Sequence, residues 1–261
     1  PFTVRGIEVE FYDAGHVIGS AMVAVDGGRV LYTGDFNPYG TITAGRAEPQ
    51  RCETLVIEAT YGKPEQVLPA RQRVLRDLQG WMLAVAANGG GIVGAYTLGK
   101  AQEVVAAANA AGLRPAVSDE VCEVCDIYVA YDVPLEYDRF AALSPEQRAA
   151  PGMFVTSSTA TSGRRPDAVV LELRQRGAHT ARVSGWCAFA PWALRGVDAG
   201  FPMSDHADFA GLLNFVEACA PQQVFTVHGA QHELAREIRK RLGIPAQPLP
   251  ERGETTLEEF T

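Results

Sequence analysis

Short β-rich runs alternate with longer segments of helical periodicity along most of this sequence. The strand-type runs include residues 6–12, 20–25, 29–32, 54–58, 92–96 and 223–227. Helical patterns, with apolar side chains three or four positions apart, occupy parts of residues 65–87, 100–111 and 231–242. Strands that alternate with helices are typical of α/β proteins, in which helices cover a mainly parallel sheet. We therefore expect an α/β fold.

Two stretches have a weaker pattern. Residues 113–186 indicate strands and loops, with one helix near residues 144–150. A further helix is expected to begin at Ser204 and to stop before Pro221, because proline cannot continue a helix. The residues after 242 are expected to be extended.

Composition and charge exclude several classes of protein. The longest apolar run, residues 81–87, is far shorter than the roughly 18 residues of a membrane-spanning helix, so no membrane partner is expected. The formal net charge of -8 means that the overall field does not attract nucleic acid. Any binding of nucleic acid therefore requires a local basic groove.

The cysteines indicate a reducing compartment. The chain has five of them, an odd number at scattered positions, which does not resemble a disulfide framework. We therefore expect a cytoplasmic protein. Cys122 and Cys125 form the one tight pair, and buried thiols are favoured there over a metal site or a redox pair.

Chemically capable side chains follow several of the predicted strands, each beside a glycine or a helix start. They are His16, Asp35, Glu58, His206 and His228. Because the ends of strands in α/β proteins converge on one rim, we expect these residues to lie together. Imidazoles and carboxylates at such a rim suit a divalent metal. Other interpretations stay open here, because a single histidine is more often structural and an aspartate often begins a turn.

Five ordered segments resemble the later motifs of the β-CASP metallo-β-lactamase-fold nucleases. They are residues 14–21 (AGHVIGSA), 32–36 (YTGDF), 58–62 (EATYG), 204–208 (SDHAD) and 227–229 (VHG). That family includes archaeal mRNA 3′-end processing factor-like proteins, cleavage and polyadenylation specificity factor nucleases and ligase-associated DNA exonucleases. Residues 96–102, 195–198 and 255–260 look closest to the archaeal and ligase-associated branches.

The resemblance implies hydrolysis of phosphodiester bonds in single-stranded RNA or DNA by hydroxide at a two-zinc site. By motif position, His16 would bind the first zinc, His228 the second, and Asp35 would bridge both. Glu58 would orient a metal ligand, and His206 would contact the scissile phosphate and protonate the leaving oxygen. A histidine at position 228 is similar to the RNA-acting members, which favours RNA slightly.

The resemblance also implies an architecture. Residues 1–60 and 186–261 would belong to a metallo-β-lactamase αββα sandwich that is incomplete at its N-terminus, and residues 61–185 would form an inserted β-CASP domain. Within that insert, Lys100 at a helix start and the pair Arg164 and Arg165 are candidate contacts for substrate phosphate. For the arginine pair, a solvated loop is an equally good interpretation.

One departure from the family is large. The family motif His-x-His-x-Asp-His, which supplies further zinc ligands, does not occur in this sequence. We expect it upstream in a longer protein, and we expect this chain alone to be metal-poor and inactive. Two alternatives remain: a metal-depleted homologue that binds nucleic acid or a partner protein, and a small-molecule hydrolase of the thioesterase or lactamase type. Formation of a homodimer is also left open.

Overall fold

The computed structural model describes residues 1–162 and 167–250, which divide into two units. The first unit contains Pro1–Tyr39, Arg46–Val67 and the described residues from His206 onward. The second contains Gly40–Gly45 and Leu68–Asp205. Arg164, Arg165 and the tail segment 255–260 lie outside the described residues. The assignment of residues 1–60, 61–185 and 186–261 to named domains stays a prediction.

The first unit is built on one mixed sheet of seven strands. In chain order, the strands are β1 (Phe2–Val4), β2 (Ile7–Asp13), β3 (Ala21–Val25), β4 (Val30–Tyr32), β5 (Thr54–Glu58), β12 (Gln223–Val227) and β13 (Ala246–Pro248). Their order in the sheet is β1-β2-β3-β4-β5-β12-β13. Strands β1 to β4 pair antiparallel, whereas β4, β5, β12 and β13 pair parallel. Consequently β2, β4, β5 and β12 end at the same edge of the sheet.

Two helices, α6 (Phe209–Cys219) and α7 (Gln231–Leu242), belong to the same unit. Asp208 caps α6, because its Oδ1 accepts a hydrogen bond from the Gly211 amide at 2.9 Å. The apolar side of each helix packs into one core with the inner face of the sheet. Members of that core include Met22, Leu31, Leu55, Ile57, Leu212, Phe215, Leu234 and Ile238.

The second unit is built on a parallel sheet of six strands. They are β6 (Gly91–Ala95), β7 (Ala116–Val117), β8 (Asp138–Arg139), β9 (Met153–Ser157), β10 (His179–Val183) and β11 (Ala199–Phe201), in the order β11-β10-β6-β9-β7-β8. Every residue of β6 and β9 is buried, as expected for central strands of a parallel sheet. The helices are α1 (Arg71–Ala86), α2 (Lys100–Ala110), α3 (Asp119–Ala130), α4 (Pro145–Ala149) and α5 (Ala168–Gln175).

The structure confirms the predicted α/β class and corrects several local predictions. Helices α3 and α5 occupy parts of residues 113–186 that were assigned to strands and loops. The helix expected from Ser204 begins at Phe209 instead, because Asp208 supplies its cap.

Cys122 and Cys125 are free, buried thiols on α3, and burial raises the pKa of Cys125 to about 11. The αββα sandwich stays a prediction. Over the residues described, no helix has both the length and the apolar character needed to cross a membrane.

Candidate metal centre

Three of the predicted site residues meet in the first unit. His16, Asp35 and His206 each offer a ligand atom, and these atoms lie within 4.8 Å of one another. The imidazole rings of His16 and His206 have their centroids 4.6 Å apart, at an interplanar angle of 57°. His16 follows β2 and Asp35 follows β4, so both come from strands that end at the same edge. The expected convergence of strand ends therefore holds for His16 and Asp35, whereas His206 precedes helix α6 and follows no strand of this sheet.

The loop that carries His16 is fixed by a tight turn at Gly15. The Gly15 amide donates a hydrogen bond of 2.7 Å to the Asp13 carboxylate. Gly15 has a φ of 65°, and a Cβ at this position would lie 2.6 Å from the Asn37 carbonyl oxygen and 2.7 Å from the Arg46 Cα. Because a side chain fits neither the dihedral angle nor the space, the position requires glycine.

The loop that carries Asp35 is anchored by its neighbour Phe36. The Phe36 ring is fully buried and packs against Phe215, with 4.4 Å between the ring centroids. The Phe36 amide also donates a hydrogen bond of 2.9 Å to Glu58 Oε1. Asp35 itself is exposed, so its carboxylate lies at the surface. The backbone next to it is fixed by the buried contacts of Phe36.

Glu58, the last residue of β5, is a fully buried carboxylate behind His206. His206 Nδ1 lies 2.9 Å from Glu58 Oε1 and 3.1 Å from Oε2, and the Thr60 amide donates to Oε2 at 3.3 Å. Burial alone would raise the pKa of Glu58. The hydrogen bond and charge of His206, together with the hydrogen bonds from Thr60 and Phe36, outweigh burial, so the net pKa of Glu58 is lowered. Glu58 is therefore ionised at neutral pH.

The ionised carboxylate determines which ring nitrogen of His206 carries a proton toward it. A carboxylate accepts hydrogen bonds, so we assign a proton to His206 Nδ1. The other ring nitrogen, Nε2, is then the atom available for a metal or for a substrate oxygen. A buried carboxylate that holds a histidine in this way is a common support of metal-binding and catalytic imidazoles. The side chain that Glu58 contacts here is His206, and its predicted role in orienting a metal ligand stays a prediction.

His228 is placed differently. It follows β12, whose Val227 pairs with Glu58 on β5, and its side chain is exposed. Its φ is 59°, a left-handed conformation that is uncommon for a residue with a side chain. The next residue, Gly229, leaves no room for a Cβ, which would lie 2.2 Å from the Ala59 carbonyl oxygen. Within the described residues, the three-ligand group does not include His228, and its role as a zinc ligand stays a prediction.

Lys100 lies in the second unit, in a buried network of charged groups. Its ammonium donates to Glu103 Oε2 at 3.0 Å and to Asp205 Oδ1 at 2.6 Å, and the side chain is 3% exposed. Arg71 also pairs with Glu103. Burial raises the pKa of Glu103, but the charges of Lys100 and Arg71 outweigh it and keep the pKa below its usual range. A contact of Lys100 with a substrate phosphate stays a prediction.

Sequence analysis did not identify Glu103, Asp205 or Asp208 as hydrogen-bond partners of other side chains. Glu103 and Asp205 hold Lys100, and Asp208 accepts a hydrogen bond of 2.8 Å from the Tyr39 hydroxyl besides capping α6. The spacing of Lys100 and Glu103, three residues apart on a helix, was an available signal for one pair. The bond between Lys100 and Asp205 joins residues 105 positions apart, which no local pattern indicates.

The two imidazoles and the carboxylate of the three-residue group are ligands that zinc accepts. Residues 200–247 match the RMMBL family, described as the Zn-dependent metallo-hydrolase RNA specificity domain. That match covers His206 and His228. The donor set of the structure is compatible with the zinc that the description of the matched family names.

Three relatives extend the comparison. A region of 255 residues, 95% of this chain, is 30% identical to the "Probable DNA ligase" of Opitutus terrae. A region of 110 residues, 40% of the chain, is 37% identical to the "RNase J-like protein" of Methanocaldococcus jannaschii. A region of 122 residues, 44% of the chain, is 34% identical to the "Transcription termination factor FttA" of Methanothermobacter thermautotrophicus.

The matched regions span 24%, 26% and 19% of those three relatives, so each relative is much longer than the part that this chain resembles. The first match nevertheless runs along nearly the whole of this chain. The ordered strand-end residues, the matched metallo-hydrolase domain and these relatives point to one group of proteins. The chain belongs to the β-CASP metallo-β-lactamase family.

Proposed function

We propose that this chain contributes to a zinc-dependent phosphodiester hydrolase that acts on single-stranded RNA or DNA, with RNA favoured. The observation that carries the proposal is the convergence of His16, Asp35 and His206, with the buried carboxylate of Glu58 behind His206. The description of the matched domain supports zinc and favours RNA. The name "Probable DNA ligase" of one relative is the reason to keep DNA as a substrate class.

The proposed ligands are His16 and Asp35, with Asp35 between two ions and His228 on the second. Zinc bound there would supply Lewis-acid charge, which offsets the negative charge of a phosphodiester and lowers the pKa of water. The loops at Gly15 and Phe36 hold these side chains in position.

His206 is proposed as the proton donor to the leaving oxygen. In its imidazolium form, Nε2 carries the proton that a leaving alkoxide requires. The carboxylate of Glu58, 2.9 Å from Nδ1, holds the ring so that Nε2 stays available to the leaving oxygen. In the neutral form, the same nitrogen has a lone pair that could bind zinc. Measurement of zinc content in a His206 variant separates the two roles.

The proposal includes the predicted architecture and location. The mixed sheet with α6 and α7 would be part of a metallo-β-lactamase sandwich, and residues 61–185 would be the β-CASP insert. The five free cysteines, scattered over both units, support a reducing compartment such as the cytoplasm.

A second candidate is a homologue that binds nucleic acid or a partner protein without metal. The observation that favours it is the absence of any His-x-His in the sequence, which leaves few ligands per ion. The deciding experiment uses the full-length protein. Labelled single-stranded RNA and DNA of the same sequence are incubated with wild type, Asp35→Ala and the matched control Asp77→Ala, which removes an exposed carboxylate on α1.

The proposal predicts cleavage that a chelator stops, that Asp35→Ala abolishes and that Asp77→Ala retains. A chromogenic lactam and a thioester are assayed in parallel and should not be hydrolysed. Binding of RNA without cleavage or zinc would favour the second candidate. Hydrolysis of the lactam or thioester in place of the oligonucleotides would indicate a small-molecule hydrolase.

A further inference from the structure

The second unit contains a cavity of about 630 Å³ at the carboxyl ends of its central strands. Tyr96, Ser158 and Ser184 line it, and each is the first residue after one of the neighbouring strands β6, β9 and β10. From β6 the chain continues to β7, on one side in the sheet, and from the adjacent strand β10 it continues to β11, on the other side. Ligands of open parallel sheets bind at the point where the connections diverge in this way.

Two positively charged side chains line the cavity. Arg182 and Arg195 line it, and neither guanidinium has a carboxylate partner among the described residues. Arg182 is 7% exposed and donates to the carbonyl oxygens of Ala193 at 3.0 Å and Ser158 at 3.3 Å. Its Nε, also buried, has no hydrogen-bond partner in the described part of the chain. Because Arg182 lines the cavity and has no carboxylate partner in the described residues, an anionic ligand in the cavity would balance its charge.

The remaining lining combines hydroxyl groups with aromatic rings. Besides the two serines, Thr159 and Ser162 contribute hydroxyls, and none of the described lining residues is acidic. Tyr96 and Trp192 are about half exposed at the cavity, at 51% and 52%. Guanidinium and hydroxyl groups bind phosphate, and exposed aromatic rings stack on planar bases. A cavity of this size is also sufficient for a small organic ligand.

We propose that this cavity binds a nucleotide, with the phosphate at Arg182 and Arg195 and the base against Tyr96 and Trp192. The nucleotide is either free or part of a single strand, because both present the same phosphate and base. The site consists of side chains of the second unit, so binding requires neither zinc nor hydrolysis. Measurement in excess chelator therefore tests this site separately from the hydrolase proposed above.

The experiment is calorimetric titration of the full chain with AMP, adenosine, ribose 5-phosphate and a short single-stranded oligonucleotide. AMP should bind more tightly than adenosine or ribose 5-phosphate, because each fragment lacks one half of the contacts. Arg195→Ala should weaken AMP binding about tenfold or more, the usual effect of losing a hydrogen bond to a charged group. Trp192→Ala should weaken it about fivefold or more through lost stacking.

Arg148→Ala is the matched control, since it removes an exposed arginine of the same unit, on α4, and should leave binding unchanged. Arg182 is not substituted, because its bonds to Ser158 and Ala193 also hold the fold. If AMP and the oligonucleotide both lose affinity in Arg195→Ala and Trp192→Ala, free nucleotides are ligands. If the oligonucleotide alone does so, the ligand is a nucleotide within a strand. Absence of binding by both, or equal binding by Arg195→Ala and Arg148→Ala, overturns the proposal.

Discussion

Replacement of Glu58 tests how much its buried carboxylate stabilises the structure around the candidate metal centre. The carboxylate is fully buried and accepts hydrogen bonds from His206 Nδ1 and from the amides of Phe36 and Thr60. Glu58→Gln keeps the shape but removes the charge, so we expect a loss of about 1.5–3 kcal/mol in the free energy of unfolding. Glu58→Ala also leaves the Phe36 amide without its acceptor, and we expect a loss of about 3–5 kcal/mol.

The assay is urea unfolding of the chain in chelator, followed by circular dichroism. Tryptophan fluorescence provides a second probe that reports the second unit, because Trp81, Trp186 and Trp192 all belong to it. Glu48→Gln, which neutralises an exposed carboxylate of the first unit, is the control and should change the free energy of unfolding by less than about 1 kcal/mol.

The stability difference should also depend on pH. Folding lowers the pKa of Glu58 below its ordinary value of 4.5, against the effect of burial, through the hydrogen bond and charge of His206. A carboxyl group of this kind stabilises the folded state above its ordinary pKa, and the contribution is lost as the pH falls through the folded value. The difference between wild type and Glu58→Gln should therefore be large at pH 7 and shrink below pH 4.5. Equal stability of the two proteins at pH 7 would refute the reasoning.

Three further predictions follow from the same geometry. His206→Ala in the full-length protein should keep its zinc but lose about 10²–10⁴-fold in cleavage rate, and loss of zinc by elemental analysis would make His206 a ligand instead. Gly15→Ala should destabilise the chain by urea unfolding more than Gly19→Ala does, because both have positive φ but only Gly15 lacks space for a Cβ; equal effects would contradict the packing at Gly15. The 261-residue chain alone should bind fewer than two zinc ions and should not cleave RNA, and stoichiometric zinc with chelator-sensitive cleavage would show ligands not identified here.

Much of the site could be predicted because its residues follow strands. His16, Asp35 and Glu58 each lie at or just after the end of a β-rich run, and strands that end at the same edge bring such residues together. The contact between Glu58 and His206 could not be derived from local pattern, because it joins residues 148 positions apart. The family resemblance supplied the roles of these two residues, and the structure supplied their contact.

Sequence analysis missed helices α3 and α5 because their residue patterns fit both a helix and a strand. Helix α3 buries Val121, Cys122, Cys125 and Tyr128, a helical spacing, yet its valines and isoleucine favour strands. Helix α5 is eight residues long and contains two adjacent valines, so its period is hard to detect. The start of α6 was placed too early because Ser204 and Asp208 are both good caps, and the bond from the Gly211 amide selects Asp208.

The central claim, that Asp35 belongs to a zinc centre that hydrolyses nucleic acid, is tested most directly by one paired measurement on the full-length protein. Zinc content by elemental analysis and cleavage of labelled single-stranded RNA are compared for wild type, Asp35→Ala and Asp77→Ala. We predict about two zinc ions per wild-type molecule, less zinc and no cleavage in Asp35→Ala, and no change in Asp77→Ala. Because Asp35 is exposed, the variant should keep the circular dichroism of the wild type. Equal zinc content and equal cleavage in wild type and Asp35→Ala would contradict the account.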